Sequence, residues 1–363
     1  METDHRIFFT DSKKMGAVSS ESIDLVVTSP PYPLIAMWDE TFALMNPAVK
    51  KALDREDGMR AFDLMHAELD RVWDELGRVL KQGGLACVNI GDATRTVGRD
   101  FRLYPNHSRI LKKFLELKFN VLPAIIWRKQ TNAPNKFMGS GMLPAGAYVT
   151  LEHEYILVLR KGSKREFTSE AAKRTRHESA IFWEERNVWY SDVWMDLKGT
   201  TQKMNNGRTR SRSGAFPFDL AYRLINMHSV KEDTVLDPFL GTGTTMAAAM
   251  AAGRNSVGFE IEPAFKDVVF ERAASIKDLA NEYVNQRLDN HLEFVRTRTA
   301  NGGSFKHLNE PYGFPVITRQ ETQLMLNRLV SLSRIDHGFR AVYSVEPEEK
   351  FTRHDQKIFD FPS

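Results

Sequence analysis

The sequence predicts an α/β fold, with a mostly parallel sheet flanked by helices. Three observations carry this. Short apolar runs such as Ile23–Thr28 (IDLVVT) have little polar relief, the mark of strands buried on both faces. They alternate with amphipathic helical stretches. A glycine loop, DPFLGTGTT, sits between one such run and an Ala-rich helical stretch.

In chain order, Ile7–Thr10 is a short apolar strand that ends at Asp11, and Ile23–Thr28 is a second that stops at Ser29-Pro30-Pro31-Tyr32-Pro33. Prolines cannot donate to a sheet ladder, so this segment is a loop at the strand's C-terminal edge, where open α/β sheets bind ligands. From Met59 to Leu80, Phe62, Met65, Leu69, Val72, Leu76 and Val79 recur at spacings of three and four, which predicts a helix. Gly83-Gly84 stops it and leads into a strand, Leu85–Ile90. A helix around Ser108–Leu117 and strands around Val121–Trp127 and Ile156–Leu159 follow. Thr234–Leu236 resumes the sheet, and a helix runs from about Thr244 to Ala252. Ser256–Phe259 is a strand closed by Glu260. After Pro263, Val269, Ala273, Ile276, Ala280 and Tyr283 predict one long helix, and the tail after Asn301 is mixed.

Composition narrows the classes. A hydrophobic fraction of 42% and a charged fraction of 27% fit a globular protein. No apolar run reaches the roughly 18 residues of a membrane span, and the first residues carry no secretory signal, so a cytoplasmic protein without membrane partners is expected. The single cysteine, Cys87, excludes a disulfide framework and a multi-cysteine zinc site, and no metal is expected. The net charge is only +3, but Arg160–Arg212 holds thirteen basic and seven acidic residues. Trp183, Trp189, Tyr190 and Trp194 are interleaved there, and Lys198–Arg212, with five basic residues and no acid, reads as a mobile or partner-ordered loop. Those tryptophans also suit a packed core.

Two motifs carry chemistry. In Asp237-Pro238-Phe239-Leu240-Gly241-Thr242-Gly243-Thr244-Thr245, glycines let the backbone turn and approach a ligand, and the amides of the next helix can meet an anion. Glu260 suits ribose hydroxyls. A phosphate-binding loop would need Lys after Gly243, and a dinucleotide fingerprint a small residue where Met246 stands. S-adenosylmethionine is the third candidate, and a ligand-free glycine turn remains the plain reading of GTG alone. At Thr28–Tyr32, Ser29 offers a hydroxyl, Pro30 and Pro31 rigid backbone, and Tyr32 a π face. Together these suit an exocyclic amino group of a nucleobase held outside the helix. The plain alternative is a proline-rich strand end.

The two motifs together resemble the S-adenosylmethionine-dependent DNA amino-methyltransferases (N4-cytosine/N6-adenine family) of the β permutation group. TSPPY precedes DPFLGTGTT, the permuted order of that group. FFTDS, LKQGGLACVNIGD, IIWRK, HEYILVLRKG, AFPFDLAYRLI and GFEIEP agree in order from about Ile7 to Pro263. The resemblance implies a Rossmann-like methyltransferase fold with circularly permuted motif order, an inserted target-recognition region and a C-terminal extension. It divides the chain into a catalytic half (1–160), a target-recognition region (161–212), a cofactor-binding half (213–263) and an extension (264–363) that could contact DNA. It implies Ser29, Pro30, Pro31 and Tyr32 as catalytic. It implies Asp11, Phe216, Pro217, Asp237, Pro238, Phe239, Gly241, Gly243, Thr244, Thr245 and Glu260 as binding S-adenosyl-L-methionine. Double-stranded DNA is the implied partner, with Lys203, Arg208, Arg210 and Arg212 as candidate backbone contacts. A homodimer, through Met59–Leu80 or the long C-terminal helix, and a separately encoded restriction endonuclease are further partners it allows.

Ser before Pro-Pro-Tyr implies N4 of cytosine, with N6 of adenine as the alternative. Methylation of the cytosine ring carbon needs a cysteine nucleophile, and Cys87 lies in an apolar strand. A catalytically idle DNA-binding protein on the same fold, and an enzyme acting on RNA or a protein amide, are the other readings.

Overall fold

The computed structural model describes residues 1–129, 138–199 and 216–347. Ten strands form one sheet: β1 (Glu2–Phe8), β2 (Ile23–Thr28), β3 (Leu80–Ile90), β4 (Phe119–Arg128), β5 (His153–Lys161), β6 (Val193–Trp194), β7 (Thr234–Asp237), β8 (Asn255–Phe259), β9 (Leu329–Ile335) and β10 (Gly338–Tyr343). Their spatial order is β6-β4-β5-β3-β2-β7-β8-β1-β10-β9. The central β3-β2-β7-β8-β1 block is parallel. Antiparallel β5 and β4 extend it on one side, and β10 and β9 on the other. The fold is therefore Rossmann-like, with antiparallel strands added at both edges.

Side chains of β2 show why the run is unbroken. Leu25 and Val27 join Val235 in one core, while Val26 joins Leu236 in the other. The first core is covered by α7 (Phe218–His228), α8 (Thr244–Ala251), α9 (Lys266–Ala274) and α10 (Ile276–Ala300), the second by α3 (Gly58–Val79) and α4 (Asn106–Glu116). The apolar stripe of α3 is consumed here: Phe62, Met65, Leu69, Val72, Leu76 and Val79 are all buried, and so is Trp73. At about 1.5–3 kcal/mol per large side chain, this burial is a principal stabiliser of the layer. It also removes that stripe from any surface for a second copy.

Several expectations are corrected. β1 begins at Glu2, earlier than its apolar end suggests, because its inward positions hold polar residues: Thr3 and His5 are buried and bonded to each other, and His5 also meets Ser256 on β8 at 2.8 Å. The run after Pro263 is two helices, since Ser275 leaves helical geometry (ψ 1°) between α9 and α10. Residues 161–199 hold α5 (Glu170–Glu178), α6 (Trp183–Trp189) and β6, and Trp189 and Trp194 are buried in the main core, whereas Trp183 is partly exposed. The expected loop Lys198–Arg212 lies, beyond Gly199, outside the described residues. Residues 38–58 form α1 (Asp39–Met45) and α2 (Pro47–Asp54), where the sequence suggested no element. Among the described residues, no helix is long and apolar enough to cross a membrane.

Candidate active site

The parallel block brings the two motifs side by side. β2 and β7 are neighbours, so Ser29 and the glycine loop leave the same edge of the sheet. The buried Asp237 carboxylate joins them. It accepts from Thr28 Oγ1 and from Thr245 Oγ1, each at 2.6 Å, and from the Phe239 amide at 3.0 Å. Burial pushes this carboxyl above the ordinary carboxylate range, and the two hydroxyls oppose the shift. Gly243 adopts φ 81° as α8 begins, and a Cβ there would lie 3.3 Å from Val269.

A cavity of about 470 Å³ opens beside these loops. Asp11, Ser29, Pro31, Pro238, Phe239, Gly241 and Glu260 line it. Pro30, Tyr32, Phe216, Pro217, Asp237, Gly243, Thr244 and Thr245 do not. Phe216 is buried in the core on the α7–α8 face, and Pro217 caps α7. Thr244 accepts from Arg272 at 2.7 Å. Lys203, Arg208, Arg210 and Arg212 lie outside the described residues.

Glu260 is held by two backbone amides, of Gly241 at 2.7 Å and Glu262 at 2.8 Å. Burial raises its pKa, and these amides oppose the rise. Roughly two of a carboxylate's four lone pairs remain for a hydroxyl of a ligand in the cavity. Trp38, Leu69, Val72, Phe239, Phe259 and Phe265 supply apolar wall. Lys13 crosses the far rim, 3.1 Å from Asp11 and 3.2 Å from Glu68. Trp38 precedes α1, and Thr41, Leu44 and Met45 lie on it, a segment tied down by the Arg95–Asp39 pair at 2.7 Å and by Asn46 on Glu68 at 3.3 Å.

Behind the Ser29-Pro30-Pro31-Tyr32 loop lies a polar network that motif reading left out. Tyr32 Oη is 3.0 Å from Ser29 Oγ and donates to Glu154 Oε2 at 2.9 Å. Asn89 Nδ2 donates to both Tyr32 and Glu154, and Lys129 Nζ meets Glu154 Oε1 at 2.9 Å. Burial, then the Glu154 charge, raises the Tyr32 pKa well above that of a free phenol, so the phenol keeps its proton. Gly91 lets the Tyr32 ring approach, since a Cβ there would lie 3.0 Å from it. Leu34, at φ 64°, turns the loop away, and buried Asn106 ties Pro33 O to Gly91 O at 3.1 and 3.0 Å. The signal for Asn89 and Glu154 was present in VNIGD and HEY, segments that matched a family pattern without an assigned chemistry.

Cys87 is buried, and desolvation pushes its thiol well above its ordinary pKa, so it presents no nucleophile. His107 pairs with Asp92 at 2.7 Å and stacks on Tyr155.

A DNA methylase family model for N6 and N4 methyltransferases matches residues 23–271, spanning both motifs and the strands between them. The chain belongs to this DNA methylase family. It is an S-adenosylmethionine-dependent DNA amino-methyltransferase, and its similarity to individual members is extensive. It is 53% identical over 327 residues to the Type II methyltransferase M.MthZI of Methanothermobacter thermautotrophicus, covering 90% of this chain and 91% of that one. It is 46% identical to M.MjaI of Methanocaldococcus jannaschii, covering 74% and 91%. A protein of Thermus thermophilus described as a DNA modification methylase, solved with S-adenosyl-L-methionine, superposes with a TM-score of 0.57 at 30% identity, covering 74% of this chain and 94% of that one. The residues present fit the methyl donor of this family. An apolar cavity with aromatic wall suits its adenine, and Glu260 suits its ribose. Once bound, the donor supplies an electrophilic methyl group. The methylase's single cysteine, the buried Cys87, offers no thiol poised for a ring-carbon route.

Proposed function

We propose that the enzyme transfers a methyl group to the exocyclic N4 of cytosine within a specific DNA sequence, as the modification member of a Type II restriction system. Ser29 carries this reading. It stands at the wall of the donor cavity, and its hydroxyl can accept from an amino N–H while donating elsewhere. Serine before Pro-Pro-Tyr favours cytosine; N6 of adenine is the second reading, because its amine needs similar acceptors. The Type II names of the two relatives support a cognate endonuclease as partner.

Within this reading, Asp11 sits toward the adenine and Glu260 toward the ribose. Asp237 acts by joining Thr28 to Thr245 rather than by touching the donor. The basic stretch Lys203–Arg212 contacts DNA phosphates. Its described flank supports that role: Gly199 lies beside Lys129, and Trp127 Nε1 donates to Leu197 O at 3.0 Å, next to the Tyr32–Glu154 network. The flipped base stacks near Tyr32.

Expression in a methylation-free host, followed by mass spectrometry of genomic nucleosides, tests the proposal. N4-methylcytosine is the expected product. N6-methyladenine without it would overturn the choice of base.

A further inference from the structure

Amine methylation releases a proton, and the groups nearest Ser29 define where it can go. Ser29 is a hydroxyl and cannot keep a second proton near neutral pH. Tyr32 is a phenol with its proton held in place. Beyond them the chain of contacts ends on one carboxylate.

We propose that Glu154 is the final acceptor of the proton released on methyl transfer, reached through Ser29 and Tyr32. The inference rests on the reading of Ser29 as the residue that meets the target amine. The donor directions agree along the whole path. Asn89 Nδ2 gives one of its hydrogens to the Tyr32 oxygen, and Tyr32 gives its own to Glu154. The remaining lone pair of Tyr32 therefore faces the Ser29 hydroxyl at 3.0 Å. With its hydrogen committed to Tyr32, Ser29 presents lone pairs to an amino N–H. Glu154 is buried, and the groups facing it are Tyr32 and Asn89 on Oε2 and the ammonium of Lys129 on Oε1.

The step balances. The amine nitrogen forms a bond to the methyl carbon as the sulfur–carbon bond breaks, and that electron pair stays on sulfur. The nitrogen then loses one proton to Ser29 Oγ. Ser29 passes its own proton to Tyr32, and Tyr32 passes its own to Glu154, which becomes the neutral acid. Glu154 later returns the proton to solvent beside Lys129, whose side chain is 40% exposed. The amine, Ser29 and Tyr32 each pass on one proton, and among the protein groups only Glu154 changes charge.

The test is single-turnover methyl transfer with saturating duplex and S-adenosylmethionine. Glu154→Gln and Tyr32→Phe are each expected to slow the step about 100-fold, the scale of general acid–base catalysis. Affinities for donor and duplex should hold within about threefold. Because both variants cut one path, the double variant should be no slower than the slower single one. Formate should restore turnover to Glu154→Ala in proportion to its concentration, which a packing role would not produce. A wild-type rate in Glu154→Gln, or fully multiplicative losses, would overturn the relay. If Glu154→Gln does not fold, Tyr32→Phe decides alone, and a wild-type rate there sinks it. Ser29→Ala separates the two levels: a normal rate in that variant removes the underlying reading of the site, whereas its loss beside an intact Glu154→Gln removes only the relay.

Discussion

Thr28 and Asp237 are 209 residues apart in sequence and 2.6 Å apart in space. This contact fastens the strand that ends at Ser29-Pro30-Pro31-Tyr32 to the strand that ends in the glycine loop. Asp237→Ala would leave the Thr28 hydroxyl buried without its acceptor and leave Thr245 only the longer bond to Val27 O at 3.2 Å. We expect a loss of about 2–3 kcal/mol in urea unfolding. Methyl transfer should fall together with donor affinity, because both loops shift. Unchanged stability would show that the carboxylate is not the fastener.

Glu260 holds the Gly241 and Glu262 amides while facing the cavity. Replacement by Ala removes both anchors and the acceptor for a ribose hydroxyl. Affinity for S-adenosylmethionine, read by calorimetry, should fall about 10–100-fold, or about 1.4–2.8 kcal/mol. Glu260→Gln keeps one acceptor oxygen and should lose less.

Ser29→Ala removes the hydroxyl at the cavity wall and leaves the fold of the loop to Leu34 and Asn106. Methyl transfer should drop about 10²–10³-fold, as when one preorganised hydrogen-bonding group is removed. Donor affinity should persist. Near-normal turnover would end the catalytic assignment of Ser29.

The basic stretch predicts a salt signature. Each lysine or arginine among Lys203, Arg208, Arg210 and Arg212 that contacts a phosphate should lower the slope of log affinity against log salt by about 0.9 when changed to Ala. A slope unchanged in the fourfold variant would place the DNA elsewhere on the protein.

Three histidines held below their ordinary pKa weaken the fold in acid. Burial depresses His5 and His66 to about 3 and His228 to about 4. Below the unfolded value near 6.5, the unfolded chain binds protons that the native state refuses. Stability is therefore full above about pH 6.5 and falls as pH drops, by about 1.4 kcal/mol per unit for each histidine. The loss levels off once pH passes the folded values. Urea titrations at pH 7 and pH 5 should show this slope, and His66→Gln should reduce it by about one proton.

Much of this architecture was legible from residue order. Ile23–Thr28 reads as a buried strand because both its faces are apolar, and the cores on either side explain that. TSPPY and DPFLGTGTT announced the site because proline and glycine mark special backbone wherever they stand. What escaped was polar chemistry set by tertiary pairing. Thr3 and His5 disguise the first half of β1, since a polar residue satisfied by Ser256 looks like surface in a sequence. Asn89 and Glu154 lie 65 residues apart and converge on Tyr32 only because β3 and β5 are neighbours. Trp38 and α1 close one side of the cavity, yet nothing in residues 38–58 names a ligand. Asp237 carried the right motif, but its oxygens turn inward to two threonines.

The position of β1 has a consequence for biosynthesis. Its parallel neighbour is β8, and His5 bonds to Ser256 across 251 residues of chain. Its other flank is covered by β10, with Arg340 paired to Asp4 at 2.8 Å. At about 5–20 residues per second, the ribosome releases His5 about 12–50 s before Ser256 exists. Throughout that interval both edges of the nascent strand lack their native partners. The sheet cannot close by sequential addition, and the growing polypeptide must wait, half assembled, for its distal segments.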